Sequence, residues 1–214
     1  MEWSEEDYDY IFKIIVVGNS GVGKSNIAHR FTSNNFDDAS DFTIGVEFDE
    51  KVMNIKGKKV KVQLWDSSGK KMYMTIAKKH FDGWLGWVVV FDVTDSRSFD
   101  DANNWMKEVE KAADPSCQFL IMANKWDFTN KYPRMNQVPN TKVEGFVKSH
   151  NVLYFGESSA KKNLNIEKPI NKLIEHVFDT QMDLIEKGTK NEESLKIAPE
   201  MKERRNQSRS WIIF

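Results

Sequence analysis

The chain has 214 residues, 40% of them hydrophobic and 29% charged, with a formal net charge of −1. That is material for one domain of ordinary size plus tails. The near-even charge balance argues against a nucleic-acid partner, and the longest apolar stretch, Gly83 to Phe91, is too short to span a bilayer.

Residues 1 to 11 form an acidic, aromatic-containing extension. They lack both the basic flank and apolar centre of a signal peptide and the second-position glycine of a myristoylated terminus. Phe12 to Val17 predicts a first strand, and its run Ile14-Ile15-Val16-Val17 suits a parallel strand buried on both faces. It leads into Gly18-Asn19-Ser20-Gly21-Val22-Gly23-Lys24-Ser25, the G-x-x-x-x-G-K-[ST] loop that wraps phosphates. Its glycines let backbone N–H groups approach anionic oxygens. Lys24 supplies a mobile charge for the β- and γ-phosphates, and the Ser25 hydroxyl can ligate Mg2+. A helix from Ser25 to Phe31 would point its positive end at the same anion.

Phe36 lies just beyond that helix, Asp37 to Phe42 reads as a polar loop, and Thr43 offers a hydroxyl and an N–H. Val46 to Ile55 and Lys59 to Trp65 predict a hairpin turning around Gly57. In Asp66-Ser67-Ser68-Gly69, the carboxylate at the strand end can stand near Mg2+ and the Gly69 N–H can meet a γ-phosphate oxygen. Asp66 to Lys79 reads as loop and helix, and Trp84 to Asp92 as a central strand. Ser98 to Ala113 is a helix carrying Phe99, Ala102, Trp105, Met106 and Val109 at helical spacing. Cys117, the only cysteine, reads as a reduced thiol of a cytoplasmic protein, at least half-buried.

Phe119 to Ala123 is the next strand, followed by Asn124-Lys125-Trp126-Asp127. A fixed carboxylate at Asp127 can accept from both N1–H and the N2 amino group of guanine, whereas adenine would leave it unpaired. The alternative is a plain turn, which also favours Asn and Asp. Asn130 to Asn140 is loop, Thr141 to His150 a helix, Val152 to Phe155 the last strand and Ile166 to Glu186 the last long helix. Ser159-Ala160-Lys161 follows that strand, where the Ala160 N–H can reach guanine O6. The alternation predicts an α/β fold: a mostly parallel six-stranded sheet with one antiparallel edge strand and helices on both faces. Residues 12–186 form this domain, and 187–214 a polar, then basic tail ending in Trp211-Ile212-Ile213-Phe214.

Together GNSGVGKS, TIGVEF, WDSSG, NKWD and SSAK resemble the Rab family of Ras-superfamily small GTPases, from about Phe12 to Asp183. The phrases GKSNIAHRFTSNNF, FTIGVEF and WMKEVEKAADPSCQFLIMANKWD are most similar to the branch associated with recycling endosomes. The resemblance implies a P-loop NTPase G domain that binds GTP or GDP with Mg2+. It implies nucleotide contacts from Ser20, Gly21, Val22, Gly23, Lys24, Ser25, Asn26, Phe36, Thr43, Gly69, Asn124, Lys125, Asp127, Ser159, Ala160 and Lys161. The metal would fall to Ser25, Thr43 and Asp66, while Phe36 and the alkyl stem of Lys125 would cover the two faces of the base. Ile44, Phe48, Trp65 and one of His80 or Phe81 would form the surface that effectors read, although Trp65 suits a plain core position equally.

Two departures from the family stand out. Rab chains usually read W-D-T-A-G-Q-E where this one has Trp65-Asp66-Ser67-Ser68-Gly69-Lys70-Lys71. The glutamine orients the attacking water by accepting one hydrogen bond and donating another. Lys70 has three donors and no acceptor, so no catalytic residue is assigned and slow hydrolysis is expected. The tail carries no cysteine for a prenyl anchor, so the expectation is at most weak peripheral membrane contact. A switch of vesicle traffic and a GTP-locked interaction module, the latter possibly a structural part of a larger assembly, both fit. In either, an effector or assembly protein would engage the switch regions and the tail.

Overall fold

The computed structural model describes residues 8–38, 43, 46–69, 83–129 and 137–196. Its centre is a five-stranded sheet in the order β2-β3-β1-β4-β5. The strands are β1 (Tyr10–Val17), β2 (Val46–Ile55), β3 (Lys58–Ser67), β4 (Trp84–Asp92) and β5 (Gln118–Asn124). β1 pairs in parallel with β3 and β4, β4 pairs in parallel with β5, and β2 runs antiparallel to β3 at the edge. The hairpin turns at Lys56 and Gly57, with φ of 50° and 84°. Two consecutive left-handed residues make the turn twist with its strands.

Helices α1 (Lys24–Ser33) and α4 (Glu167–Glu186) cover one face, and α2 (Ser96–Ala112) and α3 (Asn140–His150) the other. β1 divides its side chains accordingly. Phe12, Ile14 and Val16 join Val60, Val62, Leu64, Ile27 and Ile174 in the first core. Ile15 and Val17 join Trp87, Phe91, Phe99, Met106 and Val143 in the second. Every residue of β4 is buried, as its unbroken apolar run requires of a strand with helices on both sides. Cys117 is buried, its thiol donating to the Trp84 carbonyl at 3.0 Å.

The sequence predicts a sixth strand at Val152 to Phe155, but only isolated parallel bridges form there, Leu120 with Leu153 and Ala123 with Glu157. Gly156, at φ 90°, bends the chain between them, so no continuous ladder develops. The packed body also runs past the expected boundary at 186. After α4 a short turn, Glu192–Leu195, brings Leu195 into the first core. Tyr10 Oη donates to Glu192 Oε1 at 2.8 Å and fixes that turn on β1. Among the described residues no helix is long and apolar enough to cross a membrane.

Candidate nucleotide site

The loops that follow β1, β3 and β5 meet at one edge of the sheet, the crevice at the carboxyl ends of the parallel strands. Register places Val16 beside Asp66 and Asp92 beside Asn124, so each polar residue emerges where its hydrophobic strand ends.

The loop after β1 wraps the start of α1. Gly23 caps the helix with φ 96°, and a β-carbon there would lie 2.5 Å from Asn124 Nδ2. Lys24 is buried, and its Nζ donates to the Asn19 carbonyl at 2.9 Å. Burial lowers its pKa to about 8, opposed by the charge of Asp66. A buried cation with one carbonyl partner among the described residues gains from an arriving anion. Val22 is buried while Ser20 and Gly21 face solvent, leaving the outer rim of the loop open.

The three expected metal ligands come together. Ser25 Oγ donates to Asp66 Oδ2 at 2.5 Å, Thr43 Oγ1 donates to the same oxygen at 3.1 Å, and the two hydroxyl oxygens are 3.0 Å apart. Asp66 Oδ1 is buried and has no partner among the described residues. Burial pushes the Asp66 carboxyl upward, against the Ser25 and Thr43 hydroxyls and the Lys24 charge. This all-oxygen set, with an unsatisfied carboxylate oxygen in its midst, fits a small hard cation such as Mg2+. Gly69, at φ 47°, lies so close to the phosphate loop that a β-carbon would collide with Ser20 N. Its own N–H donates to Ser67 O at 2.8 Å. Ser68 is buried with its hydroxyl unpartnered among the described residues.

At the base end, Asp127 Oδ1 accepts from the fully buried Ser159 at 2.5 Å. Asn124 spans two loops, with Nδ2 donating to Val22 O at 2.9 Å and Oδ1 accepting from Ala160 N at 3.2 Å. Its amide thus joins the phosphate loop to the base loop. Lys125, at φ 68°, sends its Nζ to Asp92 Oδ2 at 2.9 Å. Phe36 is half-buried, with Arg30 and Lys161 each 5.7 Å from its ring centroid. Lys161 also pairs with Asp38 at 2.7 Å. Asn26 exchanges two hydrogen bonds with the Asp37 backbone, 2.9 and 2.8 Å, and so anchors the loop after α1.

Phe48 stacks on Trp65 with centroids 4.6 Å apart, and Trp65 meets Trp84 edge-on at 5.2 Å. Trp65 packs against the second core yet remains half-exposed. Ile44, His80, Phe81, Lys70 and the residues after 196 lie outside the described residues. Motif reading passes over Asn19, Arg30 and Asp92. Asn19 is 82 residues from Asp101 and Arg30 is 130 from Ala160, and no local pattern announces such partners.

Known sequences agree with this geometry. The profile described as "Ras family" matches residues 13–179. "Ras-related protein Rab11E" of Lotus japonicus is 37% identical over 175 residues, 82% of this chain and 78% of its own length. "GTP-binding protein ypt3" of Schizosaccharomyces pombe is 36% identical over 174 residues, 81% and 79% of the two chains. "Ras-related protein Rab-13" of Bos taurus is 33% identical over 171 residues, covering 80% and 82%. A glycine-rich loop, a cluster of hydroxyl and carboxylate oxygens and a buttressed acidic residue lie on one edge of this sheet, and the family match with relatives aligned over most of their length places the chain in the Ras family as a Rab-family small GTPase.

Proposed function

We propose that this GTP-binding switch protein takes GTP or GDP together with Mg2+, hydrolyses GTP slowly, and acts mainly as a long-lived GTP-bound platform for a protein partner. The convergence of Ser25 and Thr43 on Asp66 beside an unsatisfied carboxylate oxygen carries the binding half of this reading. Ser25, Thr43 and Asp66 would hold Mg2+, which when bound supplies charge neutralisation to the β- and γ-phosphate oxygens. Lys24 exchanges its carbonyl partner for phosphate, and the amides of 20–25 close around the anion. Phe36 and Lys125 cover the base while Asp127, held by Ser159, accepts from its N1–H and N2 amino group. Phe48 and Trp65, with Ile44 and Phe81, supply the partner surface, and the C-terminal tail a second contact. The buried, reduced Cys117 suits a cytoplasmic setting.

Slow hydrolysis rests on Lys70, which carries no acceptor with which to orient water. A cycling switch of vesicle traffic is the second reading, favoured by the intact base and phosphate motifs and by the Rab relatives. The nucleotide retained through purification separates them: GTP is expected for the long-lived platform, and GDP would indicate a working cycle. In single-turnover assays Lys70→Gln should raise the hydrolysis rate by about tenfold or more. An unchanged rate in that variant would remove Lys70 as the cause.

A further inference from the structure

Asn19 sits inside the phosphate loop, and its side chain reaches helix α2. Both ends of its amide are engaged there. Asn19 Oδ1 accepts from Trp105 Nε1 at 2.9 Å, and Asn19 Nδ2 donates to Asp101 Oδ2 at 2.8 Å. The carbonyl of the same residue receives the Lys24 ammonium at 2.9 Å. One residue therefore joins the phosphate-binding lysine to a helix whose own sequence carries no nucleotide motif.

The chemistry of the three groups fixes their roles. An indole N–H can only donate and a carboxylate can only accept, so the residue between them must offer one acceptor and one donor. Asparagine does so at this length. Trp105 is 3% exposed, which ties the acceptor end to the second core. Asp101 is steadied in turn by Asn104 Nδ2, which donates to its Oδ1 at 3.3 Å. Gly69 packs against the backbone of Asn19 and Ser20. The loop is thus held by α2 and also contacted by the segment after Asp66.

We propose that Asn19, Asp101 and Trp105 form a tether by which α2 holds the phosphate loop in its anion-accepting shape, with Asn19 as a positioning residue for Lys24. This rests on the nucleotide reading above. The polarity of the Asn19–Asp101 bond is its specific signature. Asn19→Asp sets two carboxylates against each other across a 2.8 Å contact. Adding Asp101→Asn restores one donor and one acceptor in reversed order, while the carboxylate introduced at position 19 still accepts from Trp105. Residue volumes stay nearly constant throughout.

The test compares the full chain with N19D, D101N and N19D/D101N. Release of a fluorescent GDP analogue should be about tenfold faster in N19D, as loss of a charge-assisted bond implies, and return to within about twofold of wild type in the double variant. D101N alone retains an acceptor but loses its charge, so its release rate should fall between those of wild type and N19D. Hydrogen exchange on the nucleotide-free chains supplies a readout that needs no ligand: protection should fall across residues 18–25 in N19D and recover in N19D/D101N. Wild-type release and exchange in N19D, or a double variant no better than N19D, would overturn the tether. A wild-type chain that binds no guanine nucleotide would sink the nucleotide reading instead, and the exchange experiment would still decide the tether.

Discussion

Ser159 is the residue on which the proposed base recognition turns. Its hydroxyl has two jobs, donating to Asp127 Oδ1 at 2.5 Å and accepting from Lys162 N at 3.0 Å. Those bonds aim the carboxylate before any base arrives, and a preoriented acceptor loses less freedom on binding. Ser159→Ala leaves the fold intact but frees Asp127 to rotate. GDP affinity should fall about tenfold, the scale of a hydrogen bond to a charged group. Inosine diphosphate lacks the N2 amino group and so uses less of the carboxylate; its affinity should fall less. Calorimetric titration with both nucleotides checks this, and an unchanged guanosine-to-inosine ratio would show that Ser159 does not aim Asp127. The motif NKWD was legible in the sequence, since a strand end followed by an acidic residue at that spacing has a chemical reason. Its buttress was only half legible. Ser159 reads as part of a base loop, but its bond to a residue 32 positions earlier exists only once β5 and the segment after α3 lie side by side.

Elements carry the same lesson. β1, β2 and β4 could be read almost to the residue because their periodicity is set locally: alternation or full burial on the strand, two left-handed residues at the turn. The Val152–Phe155 segment is equally apolar, yet a ladder needs a straight partner, and the bend at Gly156 removes it. What local pattern could not show is how α1 meets the base loop. Arg30, in the last turn of α1, donates through Nε to Ala160 O at 2.9 Å and through Nη1 to Asn34 O at 2.7 Å. Its guanidinium also lies 5.7 Å from the centre of the Phe36 ring. Thus one side chain links Ala160, Asn34 and Phe36, around the proposed base slot. Arg30→Met keeps the helix propensity and the apolar stem while deleting the donors. GDP release should accelerate about tenfold, a cost consistent with losing one or two charge-assisted bonds. Arg30→Lys should recover little, because a single ammonium cannot serve two carbonyls in a fork. Stopped-flow release measurements decide it, and a lysine variant as slow as wild type would show that charge alone suffices.

At the scale of the molecule, the proposed nucleotide site and the anchoring of the C-terminal turn occupy opposite ends of β1. The phosphate loop leaves its carboxyl end, whereas Tyr10 begins the strand eight residues earlier, about 26 Å away at the rise of an extended chain. Around Tyr10 gather Phe12 and Phe178, with ring centroids 6.5 and 6.4 Å from its own, and the turn that contains Leu195. Composition gave no warning of that anchoring, because Leu195 is the one large apolar residue between Lys187 and Lys196. Its burial at 3% exposure, with Asn191 Oδ1 accepting from Glu193 N at 3.0 Å, makes those ten residues part of the folded body. Leu195→Ala should therefore destabilise the chain by about 2 kcal/mol, the low end for a buried leucine because a terminal turn can relax around the loss. GDP release should stay at the wild-type rate, since the turn is bonded to the start of β1, at the far end from the phosphate and base loops. Urea unfolding with excess GDP and release kinetics on the same sample separate the two. A variant that melts normally would place Leu195 outside the cooperative unit, and one that also loses nucleotide would mean that the two ends of β1 are coupled through the sheet.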